Sequence, residues 1–359
     1  MKEYTQLPFR DPGKEDKNQK LEFDNILIRM PNWIGDLVMA TPILADVDRK
    51  WPKAKITAMC QGTIAPLLIG HPHIDEMFTF SRPHEFLRRP MNRDLIQRIR
   101  QGKYDLGILL SNSFSSAWWF WRGGVKRRIG FASNWRSFIL NDAIAFPKER
   151  GKEHLVETYK RLLTVIDIPI SKTQPKLFVT EEEQSTADEI LRQCGIPREG
   201  KIVGINPNAA YGPAKCWLPT RFRSLIEKLV HDPKIYVICF GDQGNTSFVD
   251  KICDNISPQV INLAGMTSLR ELMALIKKCT VFLTNDSGPM HIAAALKTPL
   301  LALFGSTNEM VTGPYHHGEV IHKHVDCSPC YKRTCPIDFR CMKQINVEEV
   351  YQALLPYLE

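Results

Sequence analysis

Residues 283–296, LTNDSGPMHIAAAL, change character in the middle. The preceding run Thr280-Val281-Phe282-Leu283 is apolar and rich in β-formers, whereas small residues and helix formers follow Gly288. This reads as strand, tight turn, helix. The first N–H groups of such a helix have no intrahelical partner and point at the turn, which suits a phosphate. Asp286 and Ser287 either cap those groups or leave them to a ligand, and Gly288 lets the backbone come close. An ordinary capped helix start has the same look, so the weight falls on what accompanies it.

The same junction recurs along the chain. In the first half, Asn25–Met30 reads as a buried strand, Pro31–Asp36 as a loop, and Leu37 to Lys50 as a helix. Lys55–Met59 gives a second strand, Gly62–Ile69 a helix, and a polar helical stretch to Gly102 precedes the apolar strand Leu106–Leu110. In the second half, strands are expected at Lys201–Asn206, Ile235–Phe240, Val260–Leu263 and Leu300–Phe304, each ending in a loop of Gly, Ser, Thr, Asn or Asp. Such alternation predicts an α/β protein with parallel sheets covered on both faces. Ligands of open sheets bind at the carboxyl ends of the strands, where all these loops emerge.

A chain of 359 residues accommodates two domains of roughly 170 residues each. The segment Asp167–Pro175, with Pro169 and Pro175, is the expected linker and hinge. This divides the chain into a polar, mobile tail at 1–23, a first domain at 24–170, a second at 171–345, and a terminal helix at 346–359 that packs back across the boundary. No apolar run approaches the roughly 20 residues of a membrane span, and none follows Met1, so the expectation is a soluble, cytoplasmic protein. The net charge of +8 suits an anionic substrate or an acidic membrane surface, and no nucleic-acid partner is expected.

Three further features admit two readings each. Cys327, Cys330, Cys335 and Cys341 form a C-x2-C-x4-C-x5-C cluster, either a structural zinc site or thiols packed in a loop. Trp118, Trp119 and Trp121 are core side chains, or an apolar wall for a sugar or lipid. Lys126-Arg127-Arg128 is a solvated run or an anion contact.

Three motifs occur together: Asn32-Trp33-Ile34-Gly35-Asp36 with Thr41-Pro42, Asn206-Pro207 leading to Lys215-Cys216-Trp217, and Asn285-Asp286-Ser287-Gly288-Pro289-Met290-His291. In this order the chain resembles the heptosyltransferases of glycosyltransferase family 9, most closely the heptosyltransferase II group, from about Asn25 to the C-terminal helix. The resemblance implies a GT-B architecture, two Rossmann-like domains facing each other across a cleft. It implies transfer of heptose, with inversion, from ADP-heptose to a heptose of the lipid A–Kdo–heptose acceptor. The setting would be the cytoplasmic face of the inner membrane, with peripheral membrane contact and no cofactor required for catalysis.

By the same resemblance Asp36 is the base and Lys215 meets the phosphates. Asn208, Asp242, Gln243, Met266, Thr267, Asp286, Ser287, Gly288 and His291 face the donor. Asn32, Trp33, Gly35, Lys126, Arg127 and Arg128 face the acceptor. Two rival readings share the motifs: a transferase or epimerase of this architecture using another nucleotide sugar, and a nucleotide-binding module without turnover.

Overall fold

Apolar runs bounded by turn residues become strands buried on both faces. In the computed structural model, which describes residues 21–81, 89–147 and 151–359, the first half contributes β1 (Asn25–Arg29), β2 (Lys55–Gln61), β3 (Glu76–Phe80), β4 (Leu106–Leu109), β5 (Arg127–Phe131) and β6 (Asp142–Ile144). The second contributes β7 (Lys201–Asn206), β8 (Ile235–Cys239), β9 (Val260–Asn262), β10 (Val281–Asn285), β11 (Leu300–Phe304) and β12 (Glu319–His322). Among the described residues these form two six-stranded parallel sheets, ordered β3-β2-β1-β4-β5-β6 and β12-β11-β10-β7-β8-β9. Counted within its own half, each sheet runs 3-2-1-4-5-6. Each therefore has one point where the order reverses, between β1 and β4 and between β7 and β10.

Helices cover both sheets. The first half carries α1 (Ile34–Met39), α2 (Pro42–Lys50), α3 (Arg89–Gly102), α4 (Phe114–Arg122) and α5 (Leu155–Arg161). The chain continues with α6 (Glu181–Gln193), α7 (Pro219–Leu229), α8 (Thr246–Cys253), α9 (Leu269–Lys278), α10 (Gly288–Leu296), α11 (Glu309–Thr312), α12 (Arg340–Lys343) and α13 (Val347–Leu358). Capping boxes at Thr180/Glu183 and Ser268/Glu271 start α6 and α9. The α/β class with parallel sheets expected from the alternation is the observed one, and the two Rossmann-like units are those that the resemblance implies.

Several local expectations are corrected. The helix expected over Leu37–Lys50 is two helices, because Pro42 has no N–H to continue the first and instead opens the second. The first begins at Ile34, three residues early, and so takes Asp36 into its first turn. Gly62–Ile69 yields only a short 3-10 turn at Ala65–Leu68. Strands β3, β5, β6 and β12 were not read from the sequence: β3 is a half-exposed edge strand, β5 opens on Arg127 and Arg128, β6 is three residues long, and β12 is a partly exposed edge strand.

The expected tail falls largely outside the described residues, but Leu21 and Phe23 do not belong to it. Trp51 Nε1 donates to the Leu21 carbonyl (2.8 Å), and the Phe23 ring packs edge-on against Trp51. At the other end, α13 buries Val350, Leu354 and Leu358 with Phe222 and Ile226 of α7, inside the second half rather than over the boundary. The proline-bearing linker is tied to the first half: Ser171 and Thr173 hydroxyls donate to buried Asp46 (2.6 and 2.7 Å).

Candidate active site

The reversal points of the two sheets face each other. The loop after β1 leads into Trp33, Gly35 and Asp36, that after β7 into Asn208 and Lys215, and that after β10 into Asp286, Ser287 and Gly288. All of these line a single cavity of about 660 Å³. Its walls are pressed together at two glycines. A Cβ added to Gly35 would stand 2.6 Å from Cδ2 of His291, and one added to Gly288 would stand 2.9 Å from Ile34. Helices α1 and α10, one from each half, thus approach through the positions that carry no side chain.

The rear wall is built from hydrogen bonds within the protein. Asn285, fully buried at the end of β10, accepts from the Trp217 N–H (2.9 Å) and donates to the Pro207 carbonyl (2.8 Å), locking the β7 loop to β10. Asn206 donates to the Asn208 carbonyl (2.9 Å) and to Ser287 Oγ (3.2 Å), and Thr284 shares a hydrogen bond with Ser287 (3.0 Å). The Ser287 hydroxyl is therefore turned away from α10 and caps nothing. The first N–H groups of that nine-residue helix stay open to the cavity, less the donor that Pro289 lacks.

Lys215 Nζ lies 2.5 Å from Asp286 Oδ2, which also accepts from the Thr307 hydroxyl (2.6 Å). Both partners are largely buried, with 13% and 5% of their side chains exposed, so the pair is held in a poorly solvated place. Asn208 Oδ1 is buried at the cavity wall with no hydrogen-bond partner. A ligand hydroxyl or amino group would satisfy it.

On the front wall, burial lifts the Asp36 carboxyl from 3.8 to about 6; Lys215 opposes the rise and Asp286 adds to it. A carboxylate of that basicity is ionised at neutral pH yet takes a proton readily. Burial pushes the His291 imidazole down to about 4 against the pull of Asp286, so this ring is neutral at physiological pH and offers hydrogen bonds, not charge.

A family model described as glycosyltransferase family 9 (heptosyltransferase) matches residues 92–339. The chain belongs to glycosyltransferase family 9. It is accordingly a transferase of the heptosyltransferase type. It is 32% identical over 303 residues to lipopolysaccharide heptosyltransferase 2 of Escherichia coli K12, covering 81% of this chain and 86% of that one. Similarity to lipooligosaccharide heptosyltransferase 2 of Haemophilus influenzae is at the same level, 32% over 302 residues, covering 81% and 86% of the two chains. In three dimensions it resembles the E. coli ADP-heptose LPS heptosyltransferase II structure, with a TM-score of 0.80, 29% identity, and 93% and 98% of the two chains covered. A family 9 structure from Veillonella parvula superposes with a TM-score of 0.83 at 21% identity, over 95% and 98% of the chains, which speaks to the fold.

Of the donor-side expectations, Asn208, Lys215, Asp242, Thr267, Asp286, Ser287, Gly288 and His291 line the cavity of this transferase. Gln243 and Met266 do not; Met266 is 72% exposed. The Asp242 carboxylate is occupied with its own turn, accepting from Gly244 N (2.9 Å) and Asn245 Nδ2 (2.8 Å). The cavity also includes Asn206, Phe240 and Leu272, which were not singled out as site residues. Phe240 ends an apolar run and looked like core, while Leu272 lies inside an ordinary amphipathic helix.

On the acceptor side Trp33 and Gly35 line the cavity, but Asn32 turns to a neighbouring one. Its Oδ1 accepts from Arg29 Nη2 (2.5 Å). That second cavity, about 480 Å³, adjoins the front reversal point and is lined by Arg29, Asn32, Gln61, Ser113, Trp118 and Trp119 among others. The Lys126-Arg127-Arg128 run reaches neither cavity. It opens β5, and parallel strands put their ligand-bearing loops at the other end. Its charges are spent locally: Lys126 on Asp105 (2.6 Å), Arg127 on Asp142 (2.8 Å), Arg128 on the Ile139 carbonyl (2.8 Å).

The tryptophans divide between both readings, Trp119 being buried and Trp118 and Trp121 being 38% and 43% exposed. Among the described residues, the thiols of the cysteine cluster are not gathered within common ligand range of one another. Cys327 is exposed and Cys341 buried, and Cys335 accepts from the Phe339 N–H (3.3 Å). Among the described residues the grouping with three ligand atoms in range is a different one, Glu309, His322 and His324.

Proposed function

We propose that this transferase moves heptose from ADP-heptose to a heptose of a lipid-anchored inner-core acceptor, inverting the anomeric centre in one displacement. The observation that carries the reading is the cavity wall itself. A carboxyl group raised to about 6 stands on one side, and on the other a lysine and an uncapped helix N-terminus converge. A single displacement needs a base for the incoming hydroxyl and positive charge for the departing diphosphate, on opposite sides of the sugar carbon. Asp36 takes the proton. Lys215 and the N–H groups of α10 take the diphosphate charge, work that a metal ion performs in other sites.

Asp286, itself held by Thr307, anchors Lys215 at the cavity wall, within reach of the phosphate position. Asn208 Oδ1 and the apolar Phe240 and Leu272 suit the ribose and the base. The second cavity receives the acceptor sugars: Asn32, Gln61 and Ser113 provide polar contacts, and the indole of Trp118 an apolar face.

The same tryptophan belongs to a chain of rings that are exposed except for the half-buried Phe114. Phe138 (76% exposed) packs on Phe114, Phe114 on Trp118, and Trp118 on Trp121, with Arg122 beside both indoles. Aromatic rings with a nearby cation suit a phospholipid headgroup layer. They lie beside the cavity assigned to the acceptor, whose lipid would remain in the bilayer. No helix among the described residues is long and apolar enough to cross a membrane, so this contact is peripheral.

Incubation of the purified protein with ADP-heptose and an inner-core acceptor, read by product mass and ADP release, tests the reading. One heptose added per acceptor is expected. Turnover of UDP-hexoses with none of ADP-heptose would overturn the donor assignment.

A further inference from the structure

One cluster of side chains has no part in the transfer reaction. Glu309 opens α11, directly after the loop that carries Thr307, and His322 closes the edge strand β12. His322 Nδ1 lies 2.7 Å from Glu309 Oε2, and His324 Nε2 lies 3.5 Å from the other oxygen of that carboxylate, Oε1. The two imidazoles stand 4.2 Å apart between ring centres. The His322 side chain is 3% exposed and that of Glu309 18%, whereas His324 is open to solvent. None of the three lines the cleft.

Counting protons at His322 shows what this arrangement lacks. The Ser328 hydroxyl donates its only proton to the Gly305 carbonyl. Its oxygen must then accept from His322 Nε2, 2.8 Å away. A neutral ring carrying its proton on Nε2 has a bare lone pair on Nδ1, and that lone pair faces a carboxylate oxygen at 2.7 Å. Two acceptors at this range repel unless positive charge lies between them. A second ring proton would serve for His322 alone; a metal ion would also engage His324, whose Nε2 approaches the same carboxylate. Two imidazoles and one carboxylate, with an open solvent side, are instead the donor set of a four-coordinate zinc ion. The Ser328 hydrogen bond is the outer contact that fixes the tautomer of such a ligand.

We propose that Glu309, His322 and His324 bind a zinc ion, with water in the fourth position. The ion ties β12 and the cysteine-bearing segment behind it to the Gly305–Glu309 loop. That loop in turn presents Thr307 to Asp286, so the metal steadies the rear wall from outside and takes no part in the chemistry. The site owes nothing to the identity of the sugar donor.

The test is metal content of the full chain after exhaustive chelation, reloading with zinc and desalting, read by mass spectrometry together with the shift in Tm on adding zinc. About one ion per chain and a higher Tm are expected, since a ligand that binds only the native state stabilises it. His324→Ala, at a solvent-exposed position, should fold normally yet lose both signals, and Glu309→Gln should lose them too. Cys335→Ser should keep them. Failure of the parent protein to take up zinc would mean an imidazolium–carboxylate pair and overturn the proposal. So would uptake unchanged in the His324 and Glu309 variants, or lost in the Cys335 variant, which would make the thiols the ligands.

Discussion

The front and rear halves run their strands in the same order, yet their reversal points are finished in opposite ways. The rear one is an internally bonded polar nest: Asn206, Thr284, Asn285 and Ser287 hold one another, and Lys215, Asp286 and Thr307 form a closed triad. The front one has a half-buried carboxyl, Asp36, poorly solvated and facing Lys215 and Asp286 across the cleft, beside a second cavity whose outer lip carries exposed rings. One topology thus supplies two kinds of electrostatics. Many dipoles already in place suit a diphosphate whose charge grows during reaction. A poorly solvated carboxylate suits proton removal. Substitutions that strike one half and spare the other therefore test the division of labour.

The largest effect is expected at Asp36. Asp36→Asn should lower kcat by roughly 10²–10⁴-fold, the usual worth of a positioned base, while ADP affinity measured by calorimetry stays near that of the parent. The same variant should be more stable at neutral pH. The Asp36 carboxyl titrates at about 6 in the fold against 3.8 ordinarily. Any stability it contributes is full below 3.8 and is lost as pH rises through 6. Replacing it by a neutral amide removes that loss, so Tm should rise at pH 7.5 and show a smaller gain at pH 4.

The mirror substitution is Lys215→Met. It strands Asp286, only 5% exposed, without its cation, and a broken buried pair typically costs about 3–5 kcal/mol. Thr307 offsets part of this. Donor affinity and stability should fall together, the reverse of the pattern at Asp36; a fall in kcat with ADP affinity intact would erase the distinction between the halves.

Activity against pH should follow the titration of Asp36. The acid limb of kcat/KM should bend near pH 6 as Asp36 gains its proton, since His291 has already lost its charge above about 4. A limb unchanged in position in a slow but active Asp36→Glu variant would assign it elsewhere.

Smaller effects probe where the halves touch. Gly35→Ala drives a methyl to 2.6 Å from the buried His291 ring, an overpacking that costs typically 1–3 kcal/mol, and activity should fall with stability. Gly62→Ala, with nothing within 4 Å, is the matched control and should leave both unchanged. The mildest change is expected for Trp121→Ser at the aromatic lip. Roughly 10-fold higher KM for acceptor presented in vesicles, with KM for a delipidated acceptor unchanged, is the expected split.

The same contrast explains what was legible in the sequence. In the rear half, strands buried on both faces read as plain apolar runs, and the turn after β10 announced itself through Asp286, Ser287 and Gly288. In the front half, β3 alternates between exposed and buried positions at a sheet edge and β6 is three residues long, so neither stood out. Lys126-Arg127-Arg128 looked like an anion site because charge is visible in a sequence and strand polarity is not; the structure puts the run at the wrong end of β5. The part of the cavity wall formed by Phe240 and Leu272 was hidden for a related reason, since apolar side chains that line a cavity look like those that fill a core. The cluster at Glu309, His322 and His324 joins a helix start to an edge strand, and its spacing follows no motif.

The most direct test is a structure of the ternary complex with an unreactive ADP-heptose analogue and acceptor. The account predicts the Asp36 carboxylate within hydrogen-bonding distance of the acceptor hydroxyl, and Lys215 with the α10 N-terminus on the diphosphate. A diphosphate bound away from α10, or Asp36 on the donor side of the transferred carbon, would contradict it.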